Sequence, residues 1–171
     1  LKLEYINQVC SLAHDNNIKV HMDGARLFNA CAALDISADN IVKNVDSVTF
    51  CLSKGLSAPI GSVVCGSNDF IAEARRIRKS LGGGMRQSGI ISAAGIVSLN
   101  NMINRLKDDH ANAQHLANSL YTLKGIELNP ELVKTNIIYF NFYHPNISSK
   151  ELVFHMKSKG IIFNNYNEKH C

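Results

Sequence analysis

Two side chains of this 171-residue chain have the type and setting for covalent chemistry. Lys54 follows an apolar, β-branched run, DSVTFCLS at 46–53, and is succeeded by Gly55, Ser57, Pro59 and Gly61. A solvated lysine needs no such setting. A lysine that attacks a carbonyl and condenses to an imine does, because its amine must be held in place and kept neutral by burial and nearby cationic charge. Asp23 ends a second short run, IKVHMD at 18–23, and is followed by Gly24 and Ala25. A buried carboxylate in that place can hold the proton of a cationic ring nitrogen through a charge-assisted hydrogen bond.

The elements that must position these two groups can be read from periodicity. Leu3, Ile6, Val9, Cys10 and Ala13 recur at helical spacing, and HDNN at 14–17 stops that helix. Residues 18–23 predict a strand, 26–34 a helix, and 37–45 a second short helix opened by Ser37. Residues 46–53 predict a strand covered on both faces, and 59–66 a further strand. Helices are expected over 67–81, 90–106 and 109–123, with an irregular glycine loop, LGGGMRQSG, at 81–89. Residues 135–143, TNIIYFNFY, alternate as a strand does. A helix over 148–160 opens with a capping box, Ser148 and Glu151, and 161–164 begin another strand. Alternating strands and helices predict a mainly parallel α/β sheet, then a smaller α/β lobe, with the join near Leu106.

In open α/β sheets ligands bind beyond the carboxyl ends of the strands. Asp23 and Lys54 both fall at such ends, about one strand–helix–strand step apart. A carboxylate, a lysine and tight glycine turns at a shared sheet edge suggest a pyridoxal phosphate site. Ala25 is small enough for a flat ring to lie close, and Ser53 can donate a hydroxyl hydrogen bond to the phosphate. The plainer reading stays open beside it: an Asx turn at Asp23 and a turn lysine at 54.

Three stretches carry a family resemblance: HMDGARLFNA (21–30), CLSKGLSAPIGSVVCGS (51–67) and RKSLGGGMRQSG (78–89). Together they resemble the low-specificity L-threonine aldolases, pyridoxal phosphate enzymes of the aspartate aminotransferase-like fold type I. The resemblance implies a truncated three-layer αβα large domain over 1–106 and a partial small α/β domain over 107–171. It implies that Lys54 forms the imine, that Asp23 pairs with the ring nitrogen, and that Arg26 clamps the substrate carboxylate. Lys79 and Arg86 match basic residues near the active site. The implied reaction cleaves threonine or allo-threonine to glycine and an aldehyde, in a homodimer or homotetramer. Other readings are another β-eliminating lyase of the same fold, or a catalytically dead homologue acting only by protein association. Ser57 stands where the family usually has glycine. The family's phosphate-binding turn and ring-stacking histidine precede Leu1, and its second arginine follows the point where this chain departs into NYNEKHC (165–171). A fragment with weak or no activity of its own is therefore expected.

Composition narrows the classes. A chain 46% hydrophobic and 19% charged suits a globular fold with one sizeable core. A net charge of +4 from scattered residues, without aromatics interleaved along a basic stripe, gives no nucleic-acid footprint. The run EARRIRKS at 73–80 reads as a solvated helix face. No apolar run approaches membrane-spanning length. Five cysteines without paired spacing argue against a disulfide framework or a metal site. They favour a reducing compartment, cytoplasm or mitochondrial matrix.

Overall fold

The computed structural model describes residues 1–165; Cys171 and most of the NYNEKHC tail lie outside the described residues. The chain divides into two compact units, Leu1–Lys107 and the stretch from Asp108 onward.

The first unit is built on a three-stranded sheet in the order β1–β2–β3, formed by β1 (His21–Asp23), β2 (Ser47–Cys51) and β3 (Ser62–Gly66). β1 and β2 run parallel, pairing His21 with Ser47 and Asp23 with Thr49. β2 and β3 run antiparallel, pairing Ser47 with Gly66 and Cys51 with Ser62. The expectation of a mainly parallel sheet does not single out β3, which is the antiparallel member. The segment between Cys51 and Ser62 contains no helix and is too short for the crossover that a parallel neighbour requires.

Strand alternation and this register sort the sheet into two faces. Met22, Val48, Phe50 and Val63 face the core, where Val48 and Phe50 pack with Leu27, Cys31, Ile41, Leu52, Leu56, Ala58 and Leu106. Phe28 and Phe50 meet edge to face with ring centroids 5.2 Å apart. Burial of each large aliphatic or aromatic side chain here contributes roughly 1.5–3 kcal/mol. The opposite face carries His21, Asp23, Ser47, Thr49, Cys51, Ser62 and Val64.

Helices α1 (Leu3–Asp15), α2 (Leu27–Leu34), α3 (Ala38–Val42), α4 (Asn68–Ser80) and α5 (Gly89–Asn101) complete this unit. Ser67 caps α4 by accepting from the Phe70 N–H. Gly82 ends it at φ +80°: the Gly82 N–H reaches Lys79 O at 3.1 Å and the Gly83 N–H reaches Arg78 O at 2.8 Å. These two bonds form a Schellman motif, so part of the glycine loop is a helix terminator. On the exposed face of α4, Arg76 pairs with Glu73.

Helix α6 (Leu106–Tyr121) begins within the first unit and continues into the second. The second unit holds a two-stranded antiparallel ladder, β4 (Ile126–Glu127) with β5 (Asn141–Phe142), a 3-10 turn at Pro130–Leu132, and helix α7 (Ser149–Ser158). Its small core is Ala113, Ala117 and Val133, with Leu128 and Ile138 against them. The strand expected over 135–143 shrinks to Asn141–Phe142, and 161–164 form no strand. Alternation makes a segment able to pair but supplies no partner, and among the described residues only β4 pairs here. The capping box is present in full: Ser148 N–H donates to Glu151 Oε2 at 2.8 Å, and Ser148 Oγ accepts from the Glu151 N–H at 3.3 Å.

Candidate functional site

The parallel pair β1–β2 brings the two reactive groups to one edge. Asp23 is the last residue of β1, and its pairing with β2 continues past the strand. Gly24 N–H donates to Thr49 O at 2.8 Å, and Cys51 N–H donates to Ala25 O at 3.3 Å. Gly24 permits this closeness, since a Cβ there would lie 3.1 Å from Thr49 O and 3.3 Å from Val48 Cγ2. Lys54 leaves β2 three residues after Cys51, at the carboxyl end that Asp23 also occupies.

The loop bearing Lys54 is shaped by its neighbours. Leu52, Leu56 and Ala58 are buried, so Ser53 and Lys54 are lifted between anchored residues into solvent. Leu52 N–H bonds Gly61 O at 2.9 Å, Ala58 N–H bonds Leu52 O at 3.0 Å, and Ser57 N–H bonds Lys54 O at 2.9 Å. Gly55 lies flush against buried Asn29 and Leu106: a Cβ there would fall 2.6 Å from Asn29 Oδ1 and 3.0 Å from Leu106 Cδ2. From α5, Gly95 admits Leu52, whose Cδ1 would stand 2.9 Å from a Cβ at 95. Two glycines on different elements thus let the lysine-bearing loop sit tightly on the core.

Asp23 accepts from the Ala25 N–H through Oδ1 at 3.1 Å, the Asx turn of the plainer reading. The turn does not exclude a ligand role. It fixes one carboxylate oxygen and leaves Oδ2 able to accept. Two expectations are corrected: Asp23 is exposed rather than buried, and Lys54 is exposed as well. At this edge the polar face of the sheet stands open to solvent among the described residues, so neither group is desolvated. Ala25 is half-buried beside Asp23, and Arg26 is exposed at the start of α2. Lys79 lies in the last turn of α4, where its side chain covers Gly84, with Cδ 2.7 Å from where a Cβ would be. Arg86 is exposed in the segment between α4 and α5. None of Arg26, Lys54, Lys79 and Arg86 forms an ion pair with another described residue.

The donor set fits pyridoxal phosphate at the ring and aldehyde: a carboxylate with one oxygen outside its turn, a small residue beside it, an amine at the same sheet edge, and cations without an ion-pair partner among the described residues for anionic groups. For the phosphate, Ser53 offers one exposed hydroxyl. Sequence reasoning missed the network beside Asp23. His21 Nδ1 lies 2.8 Å from Ser47 Oγ and its Nε2 lies 3.1 Å from Thr49 Oγ1. The histidine was visible; its hydroxyl partners, a strand away, become neighbours only through the register.

Residues 1–142 match the model of the beta-eliminating lyase family. Low-specificity L-threonine aldolase 1 of Arabidopsis thaliana is 43% identical over 163 residues, 95% of this chain and 46% of that protein. The low specificity L-threonine aldolase of Escherichia coli K12 is 38% identical over 164 residues, 96% of this chain and 48% of that protein. A crystal structure of a candidate L-allo-threonine aldolase from Listeria monocytogenes superposes with a TM-score of 0.85 at 22% identity, covering 100% of this chain and 49% of that one. The chain therefore spans about half the length of the curated relatives it matches.

Proposed function

The chain belongs to the beta-eliminating lyase family, and from that membership we propose that it carries the lysine–carboxylate part of a pyridoxal phosphate site for carbon–carbon cleavage. The proposed substrates are β-hydroxy-α-amino acids of the threonine and allo-threonine type, with glycine and an aldehyde as products. One observation carries the reading: Asp23 and Lys54 follow adjacent parallel strands at the same edge. Relatives named as low-specificity threonine aldolases support the substrate class.

Bound pyridoxal phosphate supplies an electron sink for the pair released when the Cα–Cβ bond breaks. Asp23 Oδ2 would accept from the protonated ring nitrogen and keep that proton in place. Lys54 Nζ would be the amine that holds the group at its aldehyde carbon. Ala25 leaves room for the ring, and Ser53 Oγ donates to the phosphate. The Arg26 guanidinium grips the substrate carboxylate with two parallel hydrogen bonds. Lys79 and Arg86 add positive charge near cofactor or substrate. Within this reading, residues 1–106 form the carboxyl-terminal part of the cofactor-binding domain and 107–171 part of a small domain.

Because Asp23 and Lys54 stand in solvent, water competes for both, and turnover by the 171 residues alone is expected to be weak. Assembly as a homodimer or homotetramer belongs to the proposal; exposed apolar residues of α5, Ile90 and Val97 among them, favour it. Four free cysteines among the described residues favour a reducing aqueous compartment such as the cytoplasm. No described helix is long and apolar enough to cross a membrane.

The family's description is compatible with a second reading, β-elimination, in which a different bond at the same substrate carbons is broken. Both are tested together. The chain is mixed with pyridoxal phosphate, and the visible band that borohydride removes is recorded with and without Lys54→Ala. Glycine from allo-threonine and ammonia from a β-substituted amino acid are then measured. A band lost in Lys54→Ala, with glycine release, is expected. Ammonia without glycine favours elimination, a band with neither product favours a catalytically dead homologue, and no band overturns cofactor binding by this chain.

A further inference from the structure

His21 spans the strand pair that carries Asp23. Its ring nitrogens reach the hydroxyls of Ser47 and Thr49, which are the register partners of His21 itself and of Asp23. β1 is three residues long, so few backbone bonds hold it. At its entrance Asp46 grips the chain: Oδ2 accepts from the Val20 N–H at 2.9 Å, and Oδ1 accepts from Lys19 Nζ at 2.8 Å. At its exit the Gly24 N–H bonds Thr49 O. The imidazole is the side-chain tie between these two points.

We infer that His21 is a positioning residue for Asp23: by bridging the Ser47 and Thr49 hydroxyls it locks β1 to β2 in the register that sets the carboxylate at the sheet edge. Each hydroxyl donates or accepts as the imidazole tautomer requires, so the bridge forms with either one. Phenylalanine at 21 keeps the ring shape but leaves the hydroxyl of buried Ser47 without its partner, the costly way to lose a hydrogen bond. What Asp23 is positioned toward rests on the pyridoxal phosphate reading; the lock itself does not.

The test therefore begins without cofactor. Amide hydrogen exchange is followed by NMR in the chain and in His21→Phe, Thr49→Val and the double variant. The amide of Gly24 reports the strand exit, and that of Ala25, bonded to Asp23 Oδ1, reports the carboxylate directly. His21→Phe is expected to speed exchange at both amides at least ten-fold while α4 amides change less than two-fold. The double variant is expected to add little, since both changes break one bridge. His21→Gln, which keeps a polar reach to one hydroxyl, recovers part of the protection. Gly24 and Ala25 exchange unchanged within two-fold in a folded His21→Phe overturns the inference, and so does an equal acceleration in α4. A second arm measures pyridoxal phosphate affinity, where His21→Phe weakens binding at least five-fold. If the unsubstituted chain shows no borohydride-sensitive band, the cofactor reading fails, while the exchange result still decides the lock.

Discussion

At the scale of single residues, the two groups with chemical character were legible because their type is rare in their setting. Asp23 and Lys54 each end a β-like run before glycine, and no structure is needed to see that. Less legible was what backbone geometry does to neighbouring positions. Ser57 sits at φ +60° in the left-handed region, where a Cβ is unfavourable. Ser57→Gly is expected to raise stability by about 0.5–1 kcal/mol, after the greater chain entropy of glycine is offset against the relieved strain. Thermal unfolding checks this, and a lowered midpoint would sink it. Gly55 predicts the opposite sign. An alanine Cβ would collide with Asn29 and Leu106, so Gly55→Ala is expected to cost about 1–3 kcal/mol. It also moves the loop that carries Lys54, so the borohydride-sensitive band should weaken in the same variant while remaining in Ser57→Gly.

At the scale of elements, helices were read well because periodicity and caps are local. The Ser148–Glu151 box and the glycine stop after α4 are both complete within a few residues. Strands were over-read at 135–143 and the sense of β3 was not legible, because pairing is a property of two segments rather than one. The contact that fixes β1 at its entrance shows the same limit. Asp46 accepts from Lys19, the Val20 N–H and His14, three groups from other parts of the chain. The Lys19 hydrogen bond, then those from Val20 and His14, hold its carboxyl well below the usual carboxylate range. A depressed folded-state pKa contributes stability that is present above the unfolded value, near 4, and is lost as pH falls toward the folded value. Asp46→Asn should therefore lower the urea midpoint more at pH 7 than at pH 2, where part of the contribution has been lost. Equal losses at both pH values would show that Asp46 acts through packing instead.

At the scale of the molecule, exposure carries information that composition hid. Helix α5 packs one side onto the core through Gly95, Ser98 and Leu99, yet its other side is also apolar. Ile90 is 85% exposed and Val97 60%, one stripe at i and i+7, with Ile96 beside it and Leu81 and Met85 in the segment before. A helix apolar on all sides is stable in water only when something covers both. Average hydrophobicity could not reveal this, since the same residues on a buried helix give the same percentage. If like chains provide the cover, the 171 residues should run above monomer mass in light scattering at micromolar concentration. Ile90→Glu with Val97→Glu should then return the mass to monomer without lowering the unfolding midpoint, because both side chains already face solvent within one chain. A monomer before substitution would remove self-association from the proposal. A lowered midpoint in the double variant would mean that the stripe contributes to the chain's own fold.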